Sequence, residues 1–116
     1  MRLVAIAGGA GGLAVACGAF GAHGLDGLLT PEAEAWWETA TLYLLVHAVA
    51  ALVLGLQNQV PTRPGWLMVA GGAVFAATLY AMALGAPTIL GAVTPIGGTL
   101  MILGWADVVR TALRSR

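Results

Sequence analysis

Tyr43, His47, Tyr80 and Thr94 are polar side chains set in stretches that are otherwise almost entirely aliphatic. A polar group in hydrocarbon persists only when it has a partner, so such residues mark either a hydrogen bond that fixes packing or a path for a ligand, ion or proton. Tyr43 and His47 are spaced i, i+4, which puts them on one helix face with Thr39 and Trp36 above them. A phenol one turn from an imidazole could relay a proton or hold a small polar molecule. Thr94 precedes Pro95, which lacks an amide donor and would displace the carbonyl of Gly91 from its helical bond, and Gly97 and Gly98 leave the backbone bare. The sequence therefore predicts a fourth helix kinked at Pro95. Freed backbone groups beside missing side chains make either a polar recess for a ligand or a bend that improves packing, with Thr94 or water satisfying the loose carbonyl.

Two further groups could act at the membrane surfaces. His23 ends the first apolar stretch, and Glu38 enters the second, so the two are expected to form an outer cap over the polar layer. A protonated imidazole there would be favoured by the helix C-terminus and the carboxylate, either as an entry point for a cation or as an interfacial hydrogen bond. Asp107 lies one turn from Arg110 and reads as half of a snorkelling ion pair. Cys17 reads as a small packing residue without a disulfide partner.

The positioning elements follow from hydropathy. Residues 3–22, 39–56, 66–86 and 88–109 are four apolar runs near the ~20 residues needed to cross ~30 Å of hydrocarbon. With 59% hydrophobic and 9% charged residues, the chain lacks the polar surface of a soluble domain. The fold expected is all-α, a single four-helix transmembrane domain over residues 1–116 with helices at about 3–24, 31–57, 64–86 and 88–111. Thr30-Pro31-Glu32 supplies a capping hydroxyl, a proline where no donor is needed and an acid at the positive helix end; Pro64 and Pro87 open the next two helices. Ala14-Val15-Ala16-Cys17 has the small residues of a signal-peptide cleavage site or lipobox, but further membrane helices follow it.

Arg2, Arg63, Arg110, Arg114 and Arg116 all flank the same side of these spans. Cytoplasmic retention of positive charge predicts both termini and the middle loop inside. At ~1.5 Å per residue, Tyr43, Tyr80 and Thr94 come ~6 to 9 Å, and His47 ~12 Å, below the outer boundary, so all four are expected in one outer-half layer.

These placements exclude several chemistries. His23 and His47 stand roughly 12 Å apart in depth, too far to ligate one haem from both sides. Two histidines and one distant cysteine do not make a zinc site. No Ser-His-Asp set and no P-loop lysine are present, so no catalytic residue, metal or cofactor is assigned. Zero net charge without a basic patch argues against nucleic acid. Seventeen glycines provide small-residue ridges, at Gly8-Gly12-Ala16, Ala51-Gly55 and Ala73-Ala77-Ala81-Gly85, that allow close helix contact within one chain or between copies. The partners expected are the lipid bilayer, a second copy of the chain, and a lipid or small molecule.

Gly18-Ala19-Phe20-Gly21-Ala22-His23, Tyr43 with His47 and Ala48, Phe75 to Tyr80, and Thr94-Pro95-Ile96-Gly97-Gly98 with Gly104-Trp105 resemble, in order and spacing, domain-of-unknown-function family 423. Eukaryotic transmembrane protein 256 looks like a relative. The resemblance covers nearly the whole chain and implies four transmembrane helices in the bacterial inner membrane, with no activity to carry over. Phe75-Ala76-Ala77-Thr78-Leu79-Tyr80 stands where some members resemble Phe-Ser-Gly-Ser-Leu-Tyr, and the loss of polar atoms there weakens an aqueous path along the third helix. Three readings follow: a non-catalytic protein acting through association, a ligand-, proton- or lipid-handling protein, and a membrane enzyme using His47 or the His23 and Glu38 pair. A cavity lined by the polar layer would favour the second reading, and a closed interior the first.

Overall fold

The computed structural model describes residues 1–114 as four antiparallel helices, α1 (Arg2–His23), α2 (Pro31–Leu56), α3 (Arg63–Ala83) and α4 (Thr94–Arg114), with a 3-10 turn at Thr88–Ala92. All four helical segments are long and apolar enough to cross a membrane. Arg116, counted above with the other arginines, lies outside the described residues.

Local chemistry sets the boundaries. Thr30 Oγ1 accepts the Ala33 amide at 3.1 Å, and Pro31 opens α2 where no intrahelical donor is lost. The third helix ends at Ala83, three residues before the boundary expected from hydropathy. Gly85 there takes φ +104, a left-handed conformation that suits glycine, and Ala86 N–H returns to the Ala81 carbonyl at 2.9 Å.

The single kinked helix expected from 88 to 111 is two elements. The Val93 amide bonds the Leu90 carbonyl, and the Ile96 amide bonds the Val93 carbonyl, both at 2.9 Å in the tighter i to i+3 pattern. Pro95 then occupies the first turn of α4, where its missing donor disturbs nothing. A proline also disfavours helical geometry in the residue before it, so the chain changes helix type here rather than bending one helix.

The helices pack as a central pair, α2 with α3, flanked by α1 on α2 and α4 on α3. The α3–α4 contact is the closest. A Cβ placed on Gly97 would lie 2.5 Å from the Phe75 nitrogen and 2.6 Å from the Gly71 carbonyl oxygen, so two backbones touch directly. Gly97, Met101, Gly104 and Asp107 are the buried positions of α4 and fall on one helical stripe. On the other side, Ala7 and Ala51 meet Leu3 and Val69, while Ala14 and Ala40 meet Leu44, Ala76 and Leu79. Alanine at these crossings brings the helices close enough for dispersion contacts, the main attraction available where lipid is as apolar as the core.

Two of the three small-residue ridges do not serve this interior. Ala51 is fully buried and Gly55 packs on Val4, but Gly8, Gly12 and Ala16 are exposed, as are Ala73 and Ala77. The up-and-down topology collects Arg2, Arg63, Arg110 and Arg114 at one end and Asp26, Glu32, Glu34 and Glu38 at the other.

Candidate functional site

His47 is 6% exposed and has both ring nitrogens occupied. Trp105 Nε1 of α4 donates to His47 Nε2 at 2.9 Å. An indole N–H is only a donor, so Nε2 must offer its lone pair, and the proton therefore resides on Nδ1, which donates to the Tyr43 carbonyl at 2.7 Å. The imidazole is fixed as its neutral Nδ1–H tautomer. Tyr43 lies nearly parallel to it, with ring centroids 6.1 Å apart, and also meets Phe75 at 4.8 Å. This group joins α2 to α4 across the face of α3.

Tyr80 belongs to a different link. Its hydroxyl lies 2.6 Å from Thr41 Oγ1, and the Thr41 hydrogen goes to the Trp37 carbonyl at 3.0 Å, so Tyr80 donates and Thr41 accepts. Trp37 then crosses to α1, its Nε1 donating to the Cys17 carbonyl at 2.8 Å while its ring lies 4.4 Å from that of Tyr80. Three helices are tied by this chain. Gly21 makes room for the indole, because a Cβ there would collide with Trp37 Nε1.

Thr94 forms the third link. Its hydroxyl pairs with that of Thr78 at 2.6 Å; each has one hydrogen, so one donates across this pair while the other accepts and donates to a carbonyl one turn back, which fastens the start of α4 to α3.

Of the four residues placed in one layer from depth, only Tyr43 and His47 come together. Thr41, the partner of Tyr80, is six residues before His47, so the two links are roughly 9 Å apart along α2. Height along a helix says nothing of direction around it, and Thr94 faces α3 rather than α2. Pro95, Gly97 and Gly98 do not frame a recess: Pro95 starts the helix, Gly97 is filled by α3, and Gly98 faces open space on the lipid side.

The outer cap of His23 and Glu38 does not form. Both are exposed, and neither bonds the other. Gly21 faces Trp37 of α2, and His23, two residues later, is turned ~200° around the α1 axis away from it. Glu38 instead edges a groove of about 480 Å3 between the end of α1 and the first half of α2. Gly18, Trp37, Thr41 and Leu45 form its wall, and none of Tyr43, His47, Tyr80 or Thr94 lines it.

At the arginine end the pair expected between Asp107 and Arg110 is present, with nitrogen to oxygen distances of 3.0 and 3.2 Å. Arg63 makes a closer, two-pronged contact to the same carboxylate at 2.6 and 2.8 Å. Sequence spacing revealed the first partner and not the second, which is 44 residues away. Trp37, Thr41, Thr78 and Trp105 were likewise missed as members of the polar links. A usable signal existed for the tryptophans, since an indole N–H below the membrane surface needs an acceptor.

Among the described residues, no buried side-chain nitrogen or oxygen lacks a hydrogen-bond partner. The arrangement can hold the helices in register, because each of the three links joins side chains from different helices.

The profile of a family described as "Protein of unknown function (DUF423)" matches residues 17–98. The chain is 43% identical over 106 residues to a UPF0382 membrane protein of Staphylococcus epidermidis, covering 88% of this chain and 87% of that one. It is 38% identical over 108 residues to the UPF0382 membrane protein YwdK of Bacillus subtilis, covering 88% of each. No solved structure matches. With four apolar helices, a family profile spanning most of its length and bacterial relatives named as membrane proteins, this chain is a multi-pass membrane protein that belongs to the DUF423 family.

Proposed function

We propose that the protein is non-catalytic and acts through association of its helices, with a second copy as the first partner. One observation carries the reading: among the described residues every buried side-chain nitrogen and oxygen has a partner within the chain, while Gly8, Gly12 and Ala16 of α1 are exposed, and a Cβ added at either glycine would meet open space. A glycine ridge spaced by four lets a second helix approach to backbone contact, and in lipid that contact is a main source of helix affinity. Ala73 and Ala77 offer a similar outward pair on α3.

Gly12→Leu separates this role from folding, because Gly12 is exposed and a Cβ added there meets no other atom of the chain. Native mass spectrometry of the wild type in mild detergent should show dimers or larger assemblies. The variant should shift toward monomer with about a tenfold weaker association, equivalent to ~1.4 kcal/mol. A wild type that is monomeric at all concentrations would remove the reading.

The ligand-handling alternative rests on the groove between α1 and α2 rather than on the polar layer. A small molecule retained by the wild type in the same spectra, with no dimer present, would favour that alternative.

A further inference from the structure

We propose that Arg63, Asp107 and Arg110, with the groove between α3 and α4 beside them, form a site for one anionic phospholipid. This site is separate from the glycine ridge of α1 and does not depend on association.

Charge comes first. Two guanidiniums face one carboxylate, so the cluster carries a net positive charge. The other four acids, Asp26, Glu32, Glu34 and Glu38, sit at the opposite end of the helices and cannot neutralise it. Arg2 and Arg114 add to the positive field at this end.

Geometry comes second. Asp107 is 8% exposed and takes two N–H bonds from each arginine, one from α3 and one from α4. Each guanidinium has five N–H groups and spends two on Asp107, so three remain on each. The arginine side chains are 55% and 52% exposed, which leaves those donors accessible. A buried carboxylate thus holds two planar forks in place before any ligand arrives, and planar forks match phosphate oxygens.

The groove decides between sources of phosphate. It measures about 340 Å3, and its remaining wall is Leu67, Leu103 and Ala106, a track suited to an acyl chain. Arg63 is the first residue of α3 and Arg110 lies in the last turns of α4, so the guanidiniums sit at headgroup level with apolar residues beneath them. A phosphodiester lipid meets both features at once. Free phosphate would use the charge and leave the apolar wall unused.

The test is competitive lipid retention by the full chain in detergent, read by native mass spectrometry. Equal amounts of phosphatidylglycerol and phosphatidylcholine with the same acyl chains are supplied. The wild type should retain the anionic lipid about five- to thirtyfold more, the range expected for one or two arginines acting on a headgroup. Arg110→Gln keeps the Arg63 to Asp107 contact and should abolish most of that preference with an unchanged circular dichroism melt. Ala106→Phe, on the lipid-facing surface, should block the groove and reduce retention while both arginines stay in place. Equal retention of the two lipids by the wild type, or an Arg110→Gln variant that keeps the full preference, would overturn the site. Displacement of the lipid by inorganic phosphate at matching concentration would overturn the assignment to lipid.

Discussion

His47, a residue that could do chemistry, also links two helices. Both ring nitrogens have partners, and the donor-only indole of Trp105 leaves one possible tautomer. Trp105→Phe removes that donor and leaves Nε2 unpaired in a buried position. The expected loss is about 1 kcal/mol, smaller than in an aqueous core because the unfolded chain in a membrane also finds partners. Chemical unfolding in detergent measures it, and a double-mutant cycle with His47→Phe isolates the pair. A coupling energy of zero would mean that the indole contributes only packing. At this scale the sequence identified His47 and Tyr43 and their shared face, because i, i+4 spacing is a local property. It did not disclose Trp105, which is 58 residues away, or that Tyr80 and Thr94 bond elsewhere. Hydropathy reports which residues enter the membrane and leaves their direction around each helix undetermined.

Helix boundaries were legible where a cap or proline sat beside an apolar run, as at Thr30-Pro31, and less so where the apolar run continued through a change of geometry. Residues 88–109 read as one span, yet Pro95 restarts the helix and the preceding turn is 3-10. The glycines that follow look alike in sequence and have opposite surroundings. A Cβ on Gly97 would press into the Phe75 and Gly71 backbones, whereas one on Gly98 would meet open space. Gly97→Ala is therefore expected to push α4 off α3 and destabilise by about 1–3 kcal/mol, the usual range for overpacking. Gly98→Ala should be neutral or stabilising by up to ~1 kcal/mol through helix propensity. Unfolding of the two variants side by side checks this, and equal effects would mean that the α3–α4 crossing is looser than its backbone contacts indicate. Pattern alone could not rank the glycines, since close approach is decided by the neighbouring helix.

At the scale of the molecule, charge is sorted end to end: Arg2, Arg63, Arg110 and Arg114 at one end, and Asp26, Glu32, Glu34 and Glu38 at the other. The sorting was legible from sequence because it depends only on which side of each apolar run a charge falls. Folding adds that Asp107, the one acid at the arginine end, is consumed in linking α3 to α4 and leaves that end positive. Retention of positive charge in the cytoplasm then predicts that the α2–α3 loop is inside and the α1–α2 loop outside, which would place the proposed lipid site in the inner leaflet. Cysteines introduced one at a time in a Cys17→Ser background test this in intact cells. Leu28→Cys, on the exposed α1–α2 loop, should react with a membrane-impermeant maleimide, and Asn58→Cys, on the α2–α3 loop, should react only after the membrane is opened. The reverse pattern would show that the arginines face outward and would move the proposed lipid site to the outer leaflet. Labelling of both positions in intact cells would instead indicate two opposed populations, the result expected if the arginine bias is too weak to fix one orientation during insertion.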